Sequence, residues 1–147
     1  MTVPAWIQDH LQRYLATNGA EGFLWDAALG GGQGMVPTLL LTTTGRKSAQ
    51  PLTLPLIFGE SGAGHVVVAS KGGAANHPAW YLNLQANPEV RVQVKGDRWS
   101  ARARTADGEL RKSLWTQMVK LYGPYATYQC KTDRQIPVVV LDRKGSG

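Results

Sequence analysis

Apolar residues recur at Ile7, Leu11, Tyr14 and Leu15 near the start of the chain, all on one face of a helix, and Pro4 suits its first turn. The spacing predicts a helix over residues 4–18, with Gly19 as its stop. The string AALGGGQGM, residues 27–35, reads as a flexible glycine connection. From Val36 onward the period shortens. Residues 39–44, 52–58 and 65–69 are short apolar or β-branched runs, the last two separated by a turn at 59–64. A short helix starts at Pro78 and stops by Asn87-Pro88. Val90, Val92 and Val94 alternate with Arg91 and Gln93, and with residues 99–105 they predict a hairpin across KGDR. Asp107 is placed to cap a helix with Leu110, Leu114, Val119 and Leu121 on its apolar side. IPVVVLD, residues 136–142, reads as a buried strand. Short antiparallel strands broken by a few helices predict a mainly β (α+β) fold, a small β-barrel with helical covers.

Composition narrows the function more than the fold. With 147 residues, 43% hydrophobic and 18% charged, the chain is an ordinary globular domain. No run approaches the roughly 18 apolar residues of a membrane span. The polar N-terminus lacks the apolar core of a signal peptide, so the expected location is cytoplasmic. A single cysteine, Cys130, excludes an internal disulfide. His10, His65 and His77 are not spaced as metal ligands, so no metal is expected. The net charge of +6 suits an anionic partner, but no basic run marks a nucleic-acid surface. Nucleophile elbows, Walker loops and paired carboxylates are missing too, so an enzyme of this sequence would rely on an organic cofactor.

Three stretches hold candidate chemistry. Arg46-Lys47-Ser48 puts two cations and a hydroxyl in the bend between two strands, a phosphate or carboxylate site or an exposed basic turn. VVVASKGGAANHPAWYLN, residues 66–83, runs from a strand through Ser70-Lys71-Gly72-Gly73 into a helix. Its glycines admit a flat ligand against the backbone, with amides and carbonyls facing the ligand's polar edge, or else the segment is a loop whose aromatics are core. In LYGPYATYQC, Tyr122, Tyr125 and Tyr128 recur every three residues and share a helical face, either a substrate rim or a tyrosine-rich core edge.

Together these stretches, PTLLLTTTGRKSAQPLTLPLIF, VVVASKGGAANHPAWYLNLQANPEV and LYGPYATYQCKTDRQIPVVVL, resemble the deazaflavin-dependent nitroreductase family, small actinobacterial oxidoreductases that use coenzyme F420. The likeness covers about residues 37–141, in family order, and leaves out the N-terminal helix. Length gives one domain over residues 1–147, with residues 1–18 a helix outside the likeness, and the likeness implies a split β-barrel fold of the flavin-reductase and pyridoxamine-oxidase type. It also implies that Arg46, Lys47 and Ser48, with Leu52, Thr53, Leu54, Pro55, Leu56 and Ile57, hold the phosphate and oligoglutamate tail. Val68, Ala69, Ser70 and Lys71 would lie along the deazaflavin ring, and Ala79, Trp80, Tyr81, Leu82 and Asn83 would complete the groove. Tyr122, Tyr125 and Tyr128 would line the substrate side. Two positions depart from the family pattern: Leu52 stands where an arginine is usual, and Ile57 where a better-studied member has a tyrosine.

The function this implies is hydride transfer from reduced F420 to a small electrophilic acceptor such as a conjugated enone, quinone or nitroaromatic. The tyrosines would position the acceptor and donate a proton. The same residues suit the phosphate of FMN, and an F420-binding or storage protein without reductase activity is a further alternative. The N-terminal helix either packs on the barrel or lies on a membrane surface. Oligomeric state stays open.

Overall fold

The computed structural model describes residues 4–62 and 64–144. Helix α1 (Ala5–Thr17) is followed by β1 (Leu24–Asp26), a 3-10 turn (Ala27–Gly30), β2 (Met35–Thr44), β3 (Pro51–Ile57), β4 (Gly59–Ser61) and β5 (Gly64–Val68). A second 3-10 turn (Lys71–Gly73) leads to α2 (Ala79–Ala86), the hairpin β6 (Glu89–Val94) and β7 (Asp97–Thr105), then α3 (Gly108–Leu121), α4 (Pro124–Cys130) and β8 (Val138–Arg143). The pairings are antiparallel and run β1-β2-β6-β7-β8-β5-β4, with β3 paired to β2 beside this path. The expected strands are all present. β1 and β4 are additional; β4 lies inside the segment read as a turn.

Burial explains the sequence patterns. Val67 and Ala69 of the β5 segment join Val139, Leu141, Leu39, Leu41, Val90 and Val92 in one apolar cluster, while Val66, Val68, Val138 and Val140 join another with Leu114, Met118, Tyr122 and Tyr125. Both faces of β5 and β8 are therefore covered, so they read as continuous apolar runs rather than alternating ones. α3 buries Leu114 and Met118, four residues apart, whereas Leu110 is exposed. The stripe thus runs through Met118, not Leu110 as the sequence suggests. Asp107 occupies the N-cap position without a side-chain capping bond.

Pro51 and Pro55 explain how β3 ends its sheet. Pro55 faces Leu40 and Pro51 faces Thr44 in the register with β2. A proline cannot donate to a ladder, so both ring nitrogens lie on the side away from β2, where no further strand of the described chain pairs. The open edge keeps its carbonyls and loses half its donors, a common protection of edge strands.

α1 packs on the barrel. Tyr14 is fully buried; its hydroxyl donates to the Thr38 carbonyl at 2.8 Å and accepts from the Lys95 amide at 2.9 Å. Leu15 and Trp6 are exposed, and the helix ends at Asn18 in the left-handed region, one residue before Gly19.

Candidate active site

A cavity of about 620 Å³ opens between β3, the Ser70–Gly72 bend, the start of α2 and the tyrosines after α3. Its walls are mostly apolar. Leu52, Leu54, Pro55, Leu56 and Ile57 form one side; Val68, Ser70, Lys71, Ala79 and Trp80 form another. Tyr122, Tyr125 and Tyr128 close a third, so both the second and third candidate stretches meet in one place. Lys71 is the one lining side chain among the described residues with a full positive charge, and no acidic residue lines the cavity.

The tyrosines differ in their surroundings. Tyr125 and Tyr128 lie on α4, while Tyr122 caps the end of α3, so their shared face comes from a helix–turn–helix and not one helix. The Tyr122 hydroxyl donates to the Gly30 carbonyl at 3.0 Å and lies 3.4 Å from the Tyr128 hydroxyl. Tyr125 meets both other rings edge-on, at 5.0 and 6.3 Å between centroids. Burial holds the Tyr122 and Tyr125 hydroxyls above the usual phenol range, so both stay protonated.

The Gly-rich connection is fitted rather than loose. Asp26 caps its 3-10 turn through the Ala28 amide, and a Cβ on Gly30 or Gly32 would press on the Tyr122 side chain. These glycines form the seat of Tyr122.

Other residues singled out in the sequence lie away from the cavity. Arg46, Lys47 and Ser48 occupy the exposed β2–β3 turn. The Ser48 hydroxyl oxygen accepts from the Gln50 amide at 3.1 Å, and neither Arg46 nor Lys47 forms an ion pair among the described residues. Asn83 is buried: its side chain accepts from the Arg46 amide and donates to the Thr43 hydroxyl, each at 3.1 Å, anchoring the turn from below. Tyr81 is core, its hydroxyl 2.8 Å from that of Thr105, and Ala69 is fully buried. Thr53 pairs with the Thr42 hydroxyl at 2.7 Å, and Leu82 is half-buried outside the cavity lining.

The 70–73 bend also differs from expectation. The carbonyls of Ala69, Ser70 and Ala74 are bonded to Arg134, leaving amides but not these carbonyls for a ligand. The cavity further recruits Trp6, Ile7 and His10 of α1 and Trp25 of β1, which stacks on Trp6 at 6.3 Å. Sequence periodicity marked the apolar face of α1, but no signal aimed it at this cavity.

Fold and cavity define a split β-barrel with an apolar, cofactor-sized pocket along its edge strand, with unpaired cations in the turn where that strand begins. The chain belongs to the F420H(2)-dependent quinone reductase family, whose model matches residues 6–143 and so includes most of α1, which the resemblance had left outside. The family consists of oxidoreductases whose cofactor is coenzyme F420. The chain is 36% identical to an F420H(2)-dependent quinone reductase of Mycobacterium tuberculosis, covering 98% of this chain and all of that one. Among solved structures, an F420-H2 dependent reductase is 45% identical, with a TM-score of 0.67 over 72% of this chain and 94% of its own. Another, solved as a domain-swapped dimer, is 38% identical, with a TM-score of 0.69 over 93% and 97%.

Proposed function

We propose that this chain binds F420 with its ring in the cavity and its acidic tail along β3 toward Arg46 and Lys47, and that it reduces quinones. The carrying observation is the cavity itself: apolar walls with one lysine and no carboxylate, between the Ser70–Lys71 bend and three tyrosines. β3 runs from the basic turn to the cavity, and its seven residues span about 20 Å, a length suited to an elongated anionic ligand. Ser70 and Lys71 have amide N–H groups without acceptors among the described residues, which fits the oxygen-rich edge of a deazaflavin.

When bound, reduced F420 supplies a hydride from a ring carbon. The protein's part is to hold the acceptor about 3–3.5 Å from that position and to keep water away. Tyr125 shapes the wall. The Gly30 carbonyl holds the Tyr122 proton, and Tyr128, half-buried with its hydroxyl 3.4 Å from that of Tyr122, would hold the proton for the reduced acceptor, giving up that contact to the acceptor's oxygen. Conjugated enones and nitroaromatics fit the same apolar space and belong to the same proposal.

The test is titration of the purified chain with F420 and with FMN, followed by oxidation of reduced F420 with menadione. Tighter F420 binding and menadione-dependent turnover are expected. Preference for FMN would overturn the cofactor assignment, and F420 binding without turnover would leave a storage protein.

A second reading concerns the rim. Trp6 is 60% exposed, and Leu24, Leu29 and Met35 are also exposed. No helix among the described residues is long and apolar enough to cross a membrane. A surface contact through Trp6 would give a lipid-soluble quinone a direct path to the cavity. Flotation of the full chain and of Trp6→Ser with anionic liposomes tests it: equal recovery of both would discard the membrane contact.

A further inference from the structure

Arg134 lies on the loop between α4 and β8, inside the last of the three stretches but given no role there by the sequence, and outside the cavity lining. Its guanidinium nevertheless makes four hydrogen bonds to one short segment. Nε donates to the Ala74 carbonyl at 2.8 Å, Nη2 to the Ser70 carbonyl at 2.8 Å, and Nη1 to the Ala69 carbonyl at 3.2 Å and His77 Nδ1 at 3.0 Å. None of these acceptors is acidic, and Arg134 forms no ion pair among the described residues. Its charge sits uncompensated behind one wall of the cavity.

The segment needs such a hold. Lys71, Gly72 and Gly73 all adopt positive φ, at 46°, 63° and 84°, and Lys71 is not a glycine. An isolated residue of this type would leave that region, so surrounding contacts must impose it. Ala69 is fastened on both sides, its amide donating to the Pro137 carbonyl at 3.0 Å and its carbonyl accepting from Arg134. Gly73 lies so near the Tyr128 backbone that a Cβ there would clash with the Tyr128 carbonyl oxygen. The bend is thus set between Arg134 and the tyrosine-bearing helix.

Peptide geometry gives the consequence. In a trans peptide the C=O and the following N–H point opposite ways. With the Ala69 and Ser70 carbonyls turned to Arg134, the Ser70 and Lys71 amides point away from it, and neither has an acceptor among the described residues. A guanidinium on the carbonyl side also polarises these peptides and strengthens the N–H donors.

We propose that Arg134 is a positioning residue of the reductase: by holding the Ala69, Ser70 and Ala74 carbonyls outward, it sets Ser70 and Lys71 against the ring of bound F420. This rests on the placement of F420 in the cavity described above. Arg134 touches neither cofactor nor acceptor; it acts through the bend. Its burial, which lowers its pKa, accords with a fork committed to fixed acceptors.

The experiment compares the full chain with Arg134→Met and Arg134→Lys. F420 affinity is read from cofactor fluorescence, melting temperature from thermal denaturation, and the Ser70 and Lys71 amides from ¹⁵N NMR with and without F420. In Arg134→Met, F420 should bind at least tenfold more weakly, and the two amide signals should move already in the free protein. Arg134→Lys keeps the charge but not the fork and should recover only part of the affinity. A merely structural role would lower the melting temperature and leave the affinity of the folded protein unchanged. Wild-type affinity in a folded Arg134→Met overturns the proposal; if that variant does not fold, wild-type affinity in Arg134→Lys overturns it. Failure of the unaltered chain to bind F420 would instead remove the cofactor placement, and Arg134 with it as a residue of that site.

Discussion

The Tyr122 hydroxyl donates to the Gly30 carbonyl at 3.0 Å, and a Cβ on Gly30 would overlap that same hydroxyl oxygen. One glycine therefore both anchors the tyrosine and leaves it room. Gly30→Ala should push Tyr122 into the cavity. Forced repacking of this kind costs about 1–3 kcal/mol. Stability from denaturant melts should fall by that amount, and KM for menadione should rise several-fold while F420 affinity holds. An unchanged KM would show that the glycine seat does not govern the acceptor side.

The basic turn offers a separate test. Arg46 and Lys47 are exposed and form no ion pair among the described residues, so removing them should leave folding intact. Exposed ion pairs contribute about 0.2–1 kcal/mol each, so Lys47→Ala should weaken F420 binding about two- to fivefold at low salt. The loss should shrink near 1 M salt, where screening acts within about 3 Å. Unchanged affinity at low salt would mean the turn is ordinary surface.

Tyr14 ties α1 to the barrel through Thr38 and Lys95. Tyr14→Phe strands the buried Thr38 carbonyl and the part-buried Lys95 amide, and unsatisfied buried groups cost about 1–3 kcal/mol each. Equilibrium unfolding should show a loss of at least about 2 kcal/mol. A smaller loss would mean that water replaces the hydroxyl.

His65 sets a pH dependence. Its ring packs on Phe58 and Trp99 at 5.3 and 5.1 Å, its Nδ1 lacks a partner among the described residues, and burial holds its pKa below the usual imidazole value. Unfolded, it takes a proton near pH 6.5, while the folded form resists it. As pH falls below about 6.5 the unfolded chain binds more protons, so stability declines. His77, lowered by burial and by the Arg134 charge, adds in the same direction. Unfolding free energies from pH 7 to 5 should fall less steeply in His65→Phe. An identical slope would remove His65 as the cause.

The pattern of the chain was enough for its elements and their class. Val90, Val92 and Val94 alternating with Arg91 and Gln93 define a strand with one covered face, because side chains alternate across a pleat. The runs around Val67 and Val139 define strands covered on both. That the strand carrying Pro51 and Pro55 lies at an edge came from the structure, although a strand paired on both sides could not spare the two donors. The residue types of the three stretches left ligand site or ordinary turn, loop and core edge open, and only their resemblance to a family implied a cofactor groove.

What the pattern could not supply were contacts between distant residues. Arg134 meets carbonyls 60–65 positions earlier, Gly30 seats a tyrosine 92 positions later, and Trp6 reaches the cavity from a helix outside the recognised motifs. Tyr81, next to Trp80, turns into the core, and Asn83 turns to the β2–β3 bend instead of the cavity. A short helix has only one face toward the cavity. Local periodicity reports which side of an element is buried, and only the tertiary structure decides what that side is buried against.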